Sequence, residues 1–246
     1  MFDRKLTVTR ALIIINAVVF VVGMMVQRPA ELGLSVPQGE PTSVLQIIGA
    51  YSFFTAFTEG QIWRLITYQF LHANLMHLLF NMWALMFFGP AVESEFGPKK
   101  FLGFYLLCGV AGALFSTLLA GMGIFDTIAA TPFNMIHVNM LAAYHGYSGT
   151  VQPWQMLPMV GASASIYGVL VATAVLYPHA RVSLLFPPVT LTLRTLALIV
   201  IGIATLVILT NGDNAGGEAG HLGGIIMGVI VMTYWKLRHR GGTYYY

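Results

Sequence analysis

Six apolar stretches, at about 11–27, 71–92, 101–121, 157–177, 195–210 and 218–235, set the terms on which this 246-residue chain can fold. At about 1.5 Å of rise per helical residue, most of them reach across a hydrocarbon layer about 30 Å thick. In such a layer the backbone must satisfy its own polar groups, and a helix does so within one segment. Composition agrees: 57% of the residues are hydrophobic and 9% charged, too few polar side chains to coat a water-soluble globule. The first stretch lacks a small-x-small cleavage site and is followed by further spans, so it reads as a retained helix and not as a removed leader. An all-α membrane protein with six transmembrane helices in one domain is expected.

The basic residues predict how those helices are oriented. Arg4, Lys5 and Arg10 precede the first stretch, Lys99 and Lys100 follow the second, Arg181 and Arg194 separate the fourth from the fifth, and Lys236, Arg238 and Arg240 follow the sixth. The other side receives Arg28 and Arg64 alone. Because Lys and Arg accumulate in cytoplasmic loops, both termini are expected in the cytoplasm. The net charge of +3 thus reads as topology and not as a nucleic-acid footprint. Cys108 is the single cysteine, which excludes an intrachain disulfide and a thiolate metal cluster.

Two connections are long. The first, about 28–70, carries Pro29, Pro37 and Pro41 and then Phe53, Phe54, Phe57 and Trp63. It is too polar to span and aromatic enough to lie in the membrane interface as short amphipathic helices. The second, about 122–156, with Asp126, Asn134, His137, His145 and Gly146, is expected to hold a short helix of its own. Residues 241–246 read as a frayed tail.

Polar side chains at membrane depth are costly, which makes them the first candidates for function. The second stretch opens with His72, Asn74, His77 and Asn81, and the four-residue spacing of His77 and Asn81 puts both on one helix face. Such a pair aims two donors at one place, or else ties helices together. The fourth stretch contains Gly161-Ala162-Ser163-Ala164-Ser165-Ile166-Tyr167-Gly168. A serine there has free amides and a helix dipole beside it, both suited to an oxyanion, although such a run also suits packing or capping. The sixth stretch is entered through Glu218-Ala219-Gly220-His221, and Gly220, Gly224 and Gly228 form a ridge that matches one of Ala164, Gly168 and Ala172.

The fourth and sixth stretches are both entered from outside, so Ser163 and His221 are expected at similar depth, level with His77 and Asn81. Tyr167 shares a face with Ser163, whereas Ser165 is turned away by about 200° and is expected to back-bond to a carbonyl or pack. Ser163 is therefore the candidate nucleophile and His221 its base. A metal site from His72, His77 and His221 lacks a carboxylate partner and leaves Ser163 idle. His137, His145, His179 and His239 are expected to be solvated or to touch lipid headgroups.

In order and spacing, His72-x4-His77-x3-Asn81, Gly161-x-Ser163 with Tyr167, and His221-x2-Gly224-x3-Gly228 closely resemble the three motifs of the rhomboid family of intramembrane serine proteases. Trp63-Arg64 and Gly89-Pro90-Ala91-Val92-Glu93 resemble two further segments of that family, so the resemblance extends from roughly 60 to the C-terminus. It implies a rhomboid-like six-helix bundle, a single domain over 1–246 with its core at about 60–237, a long first external loop and a water-filled cavity open to the outer side. It implies a serine–histidine dyad and not a triad, with Ser163 attacking the scissile carbonyl while His221 takes its proton and returns it to the leaving amine. His77, Asn81 and the backbone amide of Ser163 would hold the oxyanion.

Tyr167 would pack on His221, His72 would stand beside the cavity, Gly161, Gly224 and Gly228 would support the site, and Trp63-Arg64 and Glu93 would be structural. No metal and no cofactor is implied. The implied substrates are transmembrane proteins that unwind near their outer end and carry a small side chain before the cut. They would arrive laterally past 195–210, under a mobile 211–217 cap that includes Gly212, Gly216 and Gly217. The short N-terminal segment and the absence of a targeting extension fit a bacterial inner membrane.

Two positions depart from the family pattern. Ala164 stands where glycine usually follows the nucleophile, and Gly220 where alanine usually precedes the histidine; the methyl gained and the methyl lost are expected to offset each other. Two rival functions remain. A protease-like protein without activity would bind membrane clients through the same motifs. A transporter would use the buried His and Asn residues as a relay, which leaves the Ser163–Tyr167 and His221–glycine spacings unexplained.

Overall fold

Each of the six apolar stretches contains a helix in the computed structural model, which describes residues 7–26, 43–126, 151–183 and 188–239. The helices are α1 (Val8–Met25), α2 (Val44–Gly49), α3 (Arg64–Thr67), α4 (Leu75–Phe96), α5 (Pro98–Gly121), α6 (Ser163–Leu176), α7 (Leu193–Leu209) and α8 (Ala215–His239). Strands β1 (Arg181–Ser183) and β2 (Thr190–Thr192) form an antiparallel ribbon between α6 and α7, with Val182 opposite Leu191. By length and composition α1, α4, α5 and α8 are able to cross a membrane, while α6 and α7 are shorter apolar helices. Arg4, Lys5, Arg28, Pro29, Pro37, Pro41, Asn134, His137, His145, Gly146, Arg240 and the tail 241–246 lie outside the described residues.

Local chemistry explains where the helices begin. The Asn74 side chain accepts from the His77 amide (2.8 Å) and caps α4, so this residue is spent on the helix start. Gly97 takes a positive φ of 74° between α4 and α5, and Pro98 then opens α5, where its missing N–H costs nothing. Thr192 caps α7 by accepting from the Thr195 amide (3.1 Å).

The fourth stretch is shorter as a helix than its apolar run suggests. Residues 157–162 are not helical: Met159 pairs in both directions with Tyr51, and the helix starts at Ser163. Pro158 and Gly161, the latter at φ 126°, disfavour a helical path, and the chain across the bundle supplies the alternative partner. With 14 residues, α6 is about 21 Å long. A side chain added at Gly112 would meet Ala164 Cβ at 2.5 Å, so the start of α6 is level with a point nine residues before the end of α5. Ser163 is thereby set about 13 Å down from that end of its neighbour.

Glycines let α5, α6 and α8 meet at the centre. A Cβ on Gly168 would lie 2.5 Å from Cys108 Sγ of α5, one on Gly228 would lie 2.9 Å from the Gly168 carbonyl oxygen, and one on Gly224 would overlap the Ala164 carbonyl. The two predicted ridges do face each other, with α5 as a third member. The methyl of Ala164 has a different partner from the one expected. It points at Gly112 of α5 and is buried, whereas a methyl on Gly220 would meet Met159 Cε at 2.7 Å. Gly112, and not Gly220, makes room for Ala164.

The first long connection is held by Arg64. Its buried guanidinium donates to Gln61 Oε1 (2.6 Å), the Ala50 carbonyl (2.7 Å) and the Ile47 carbonyl (2.9 Å). Burial pushes this group down from the ordinary arginine range, against the opposing effect of Glu59. Trp63 stays exposed, beside Ile62 and Ile66, which leaves an apolar surface on this loop. Arg64→Ala is expected to destabilise the protein by about 2–3 kcal/mol, because the buried Ala50 carbonyl and the part-buried Ile47 carbonyl lose a charged donor. A thermal unfolding midpoint unchanged in detergent would contradict that role.

Glu93 ties α1 to α4. Its carboxylate accepts from the amides of Val8 (2.7 Å) and Thr9 (2.9 Å) and from Thr9 Oγ1 (2.6 Å), which satisfies the first turn of α1. One turn earlier Gly89 gives Thr9 its space, since a Cβ there would lie 2.8 Å from Thr9 Cγ2. The Gly89–Glu93 segment is thus a docking site for the first helix.

Candidate active site

Ser163 is the first residue of α6, and His221 lies in the second turn of α8. Their side chains meet, with Ser163 Oγ 2.8 Å from His221 Nε2. The imidazole is held on two further sides. Tyr167, one turn after Ser163, stacks on it with ring centroids 4.1 Å apart and planes 10° from parallel. Glu218, three residues before it on α8, brings Oε2 to 2.9 Å from Nδ1. Sequence reasoning placed Ser163, His221 and Tyr167 together but assigned Glu218 no partner; the i, i+3 spacing was the available signal.

Free donors surround the serine. The first helical hydrogen bond of α6 runs from the Ile166 amide to the Ala162 carbonyl (3.0 Å), which leaves the amides of Ser163, Ala164 and Ser165 outside the helical ladder. His77 approaches from α4: a Cβ on Gly161 would lie 2.8 Å from His77 Nε2 and 3.7 Å from Ser163 Oγ. Glycine at 161 is therefore required twice, by its φ of 126° and by the closeness of the His77 ring. Asn81, one turn further along α4, is buried, and its Nδ2 has no hydrogen-bond partner among the described residues. Buried polar groups are usually paired, and Asn81 Nδ2 shares its condition with both ring nitrogens of His72.

A cavity of about 320 Å³ has His77, Gly161, Ser163, Gly217, Gly220 and His221 in its lining. Asn81, His72 and Tyr167 are not among its lining residues. His72 is buried behind His77, with the two rings edge to face at 5.1 Å. Gly224 and Gly228 act at a distance from the chemistry, through the contact of α8 with α6 described above.

The chain leading into Ser163 is anchored by the first connection. The Gly161 amide donates to the Tyr68 carbonyl (2.9 Å), and the Tyr68 hydroxyl donates to the Gly109 carbonyl of α5 (2.6 Å). Ser165 belongs to the same frame. It donates to Gln69 Oε1 (3.0 Å) instead of to a helix carbonyl, and Gln69 Nε2 donates to the carbonyls of Leu65 (2.9 Å) and Leu106 (3.3 Å). The 211–217 cap is shorter than predicted, because α8 starts at Ala215 and Ser116 Oγ donates to the Gly216 carbonyl (2.8 Å). Gly216 and Gly217 are helical residues at the cavity wall.

Comparison with known proteins adds an independent finding. Residues 59–238 match the family model described as Rhomboid domain. The chain is 27% identical over 193 residues to Rhomboid-like protease 3 of Toxoplasma gondii, an alignment covering 78% of this chain and 58% of that protein. It is 32% identical over 177 residues to RHOMBOID-like protein 12, mitochondrial, of Arabidopsis thaliana, covering 71% and 46% respectively. Over 80 residues it is also 36% identical to Inactive RHOMBOID-like protein 8 of the same plant, 32% of this chain and 23% of that one. The matched parts make up 23% to 58% of the length of these relatives. With the apolar helices, the match indicates an integral membrane protein.

Proposed function

We propose that this chain, which belongs to the rhomboid family, is a serine endopeptidase that cuts membrane proteins in or near their transmembrane segments. The observation that carries this reading is the 2.8 Å hydrogen bond between Ser163 Oγ and His221 Nε2 at the wall of a cavity. His221 takes the hydroxyl proton as Ser163 Oγ attacks the scissile carbonyl, and a tetrahedral oxyanion forms. The Ser163 amide, Asn81 Nδ2 and His77 hold that oxyanion. His221 then gives the proton to the departing amine, and water cleaves the acyl-enzyme by the same steps.

A helix hydrogen-bonds its own amides, so the substrate is a transmembrane segment that unwinds near its outer end. Membership of the family favours a small side chain before the cut. The distribution of Lys and Arg supports six spans with both termini in the cytoplasm, and the setting we favour is a bacterial inner membrane.

The test is covalent labelling of the purified full chain with a serine-directed phosphonate, followed by mass spectrometry. Modification at Ser163 that is lost in His221→Ala is the expected result. No label at Ser163, with client proteins still retained, would favour the other reading, a client-binding protein without activity. That reading has one specific support, the similarity to a relative named inactive.

A further inference from the structure

Resting on the protease reading, we infer that Glu218 is the positioning residue of His221, so that Ser163, His221 and Glu218 act as one hydrogen-bonded chain of three. Glu218 Oε2 lies 2.9 Å from Nδ1 while Nε2 lies 2.8 Å from Ser163 Oγ, so the two ring nitrogens are engaged on opposite sides. Both side chains are largely withdrawn from solvent, at 12% exposure for His221 and 18% for Glu218. Their spacing within one helix makes the contact local and stiff.

The consequence is a choice of tautomer. A carboxylate only accepts hydrogen bonds, so Nδ1 carries the proton, and Nε2 presents its lone pair to the serine hydroxyl. That is the form in which His221 is able to act as a base. The stack with Tyr167 fixes the plane of the ring but does not distinguish its two nitrogens. From α6 the ring is faced by Ser163 and Tyr167, and from α4 by His77, none of which is acidic. When Nε2 receives the serine proton, the positive ring therefore has Glu218 beside it as a counter-charge. Glu218 takes no proton in this cycle; the proton moves from Oγ to Nε2 and on to the leaving amine.

Glu218 also sits in the first turn of α8, where a negative charge stabilises a helix regardless of catalysis. The experiment separates the two roles by comparing Glu218→Gln, Glu218→Ala and Glu218→Asp in the full chain, reconstituted with a model transmembrane substrate. The Gln and Ala variants are expected to lose about 10²-fold in kcat with KM little changed, and to slow phosphonate labelling of Ser163 by a similar factor. Asp, which keeps the charge, is expected to restore part of both.

A second readout needs no turnover. In protein carrying ¹⁵N-histidine, the His221 shifts are expected to report an Nδ1–H tautomer that Glu218→Ala removes. Unchanged kcat, labelling and tautomer in the Gln and Ala variants would overturn the inference, even with a lowered melting temperature. A wild-type protein that neither cuts nor labels, but whose His221 tautomer still depends on Glu218, would overturn the protease reading and uphold the positioning role.

Discussion

Ser163→Ala, reconstituted beside a model transmembrane substrate, is expected to lose cleavage by about 10⁴–10⁶-fold, the scale on which hydrolases lose activity when a nucleophile acting as part of a unit is removed. Neighbouring hydroxyls offer no replacement. Ser165 is turned away and held by Gln69, and Thr173 donates to the Val169 carbonyl of its own helix at 2.9 Å. His221→Ala is expected to match that loss, and the double variant to be no worse than either alone. Ser163 and His221 perform one proton transfer, so removing either half removes the whole. Folding is not the cause, because the Ser163 side chain takes no part in the glycine contacts that hold α6 against α8. Cleavage by Ser163→Ala within tenfold of wild type would sink the assignment of the nucleophile.

Gly224→Val is expected to have the largest effect on the fold. Any Cβ at this position overlaps the Ala164 carbonyl, and backbone has nowhere to go without moving α6 away from α8. Overpacking of this kind costs about 3 kcal/mol or more, roughly 10 °C in melting temperature for a domain of this size. Ser163 begins the helix that moves, so phosphonate labelling should be lost as well. Gly202→Ala is the control: no atom lies within 4 Å of a Cβ there, and stability should hold or rise slightly. Equal stability of the Gly224 and Gly202 variants would show that the close approach of α6 and α8 does not hold the bundle together.

Much of the site was legible because its signals are local or periodic. Four-residue spacing relates His77 to Asn81, Ser163 to Tyr167 and Gly220 to Gly224, and helical geometry alone turns Ser165 away from the nucleophile. The partner of Ser165 was not legible, since Gln69 comes from another element almost a hundred residues earlier, at a separation of 96. The same holds for Ala164. A methyl offset between the two facing helices was a reasonable expectation, but the space is provided by Gly112 on a third helix.

Glu218 lies between these cases. Its distance from His221 along a helix was visible in the sequence, yet whether the imidazole turns toward it depends on where Ser163 holds the other nitrogen.

The set of apolar helices, the family and the pairing of a serine with a histidine are written in the residues themselves. Those follow from hydrophobic length, from the cost of polar groups in an apolar medium and from motif spacing. Where α6 begins depends on long-range packing, because residues 157–162 leave the helix and Met159 among them pairs with Tyr51. The same packing sets Ser163 below the end of α5 and places the His221 ring between Ser163 and Glu218. The reason is the same in each case. A strand bridge, a helix crossing and a side-chain rotation are settled by atoms far apart in the chain, and no local pattern encodes which of them will meet.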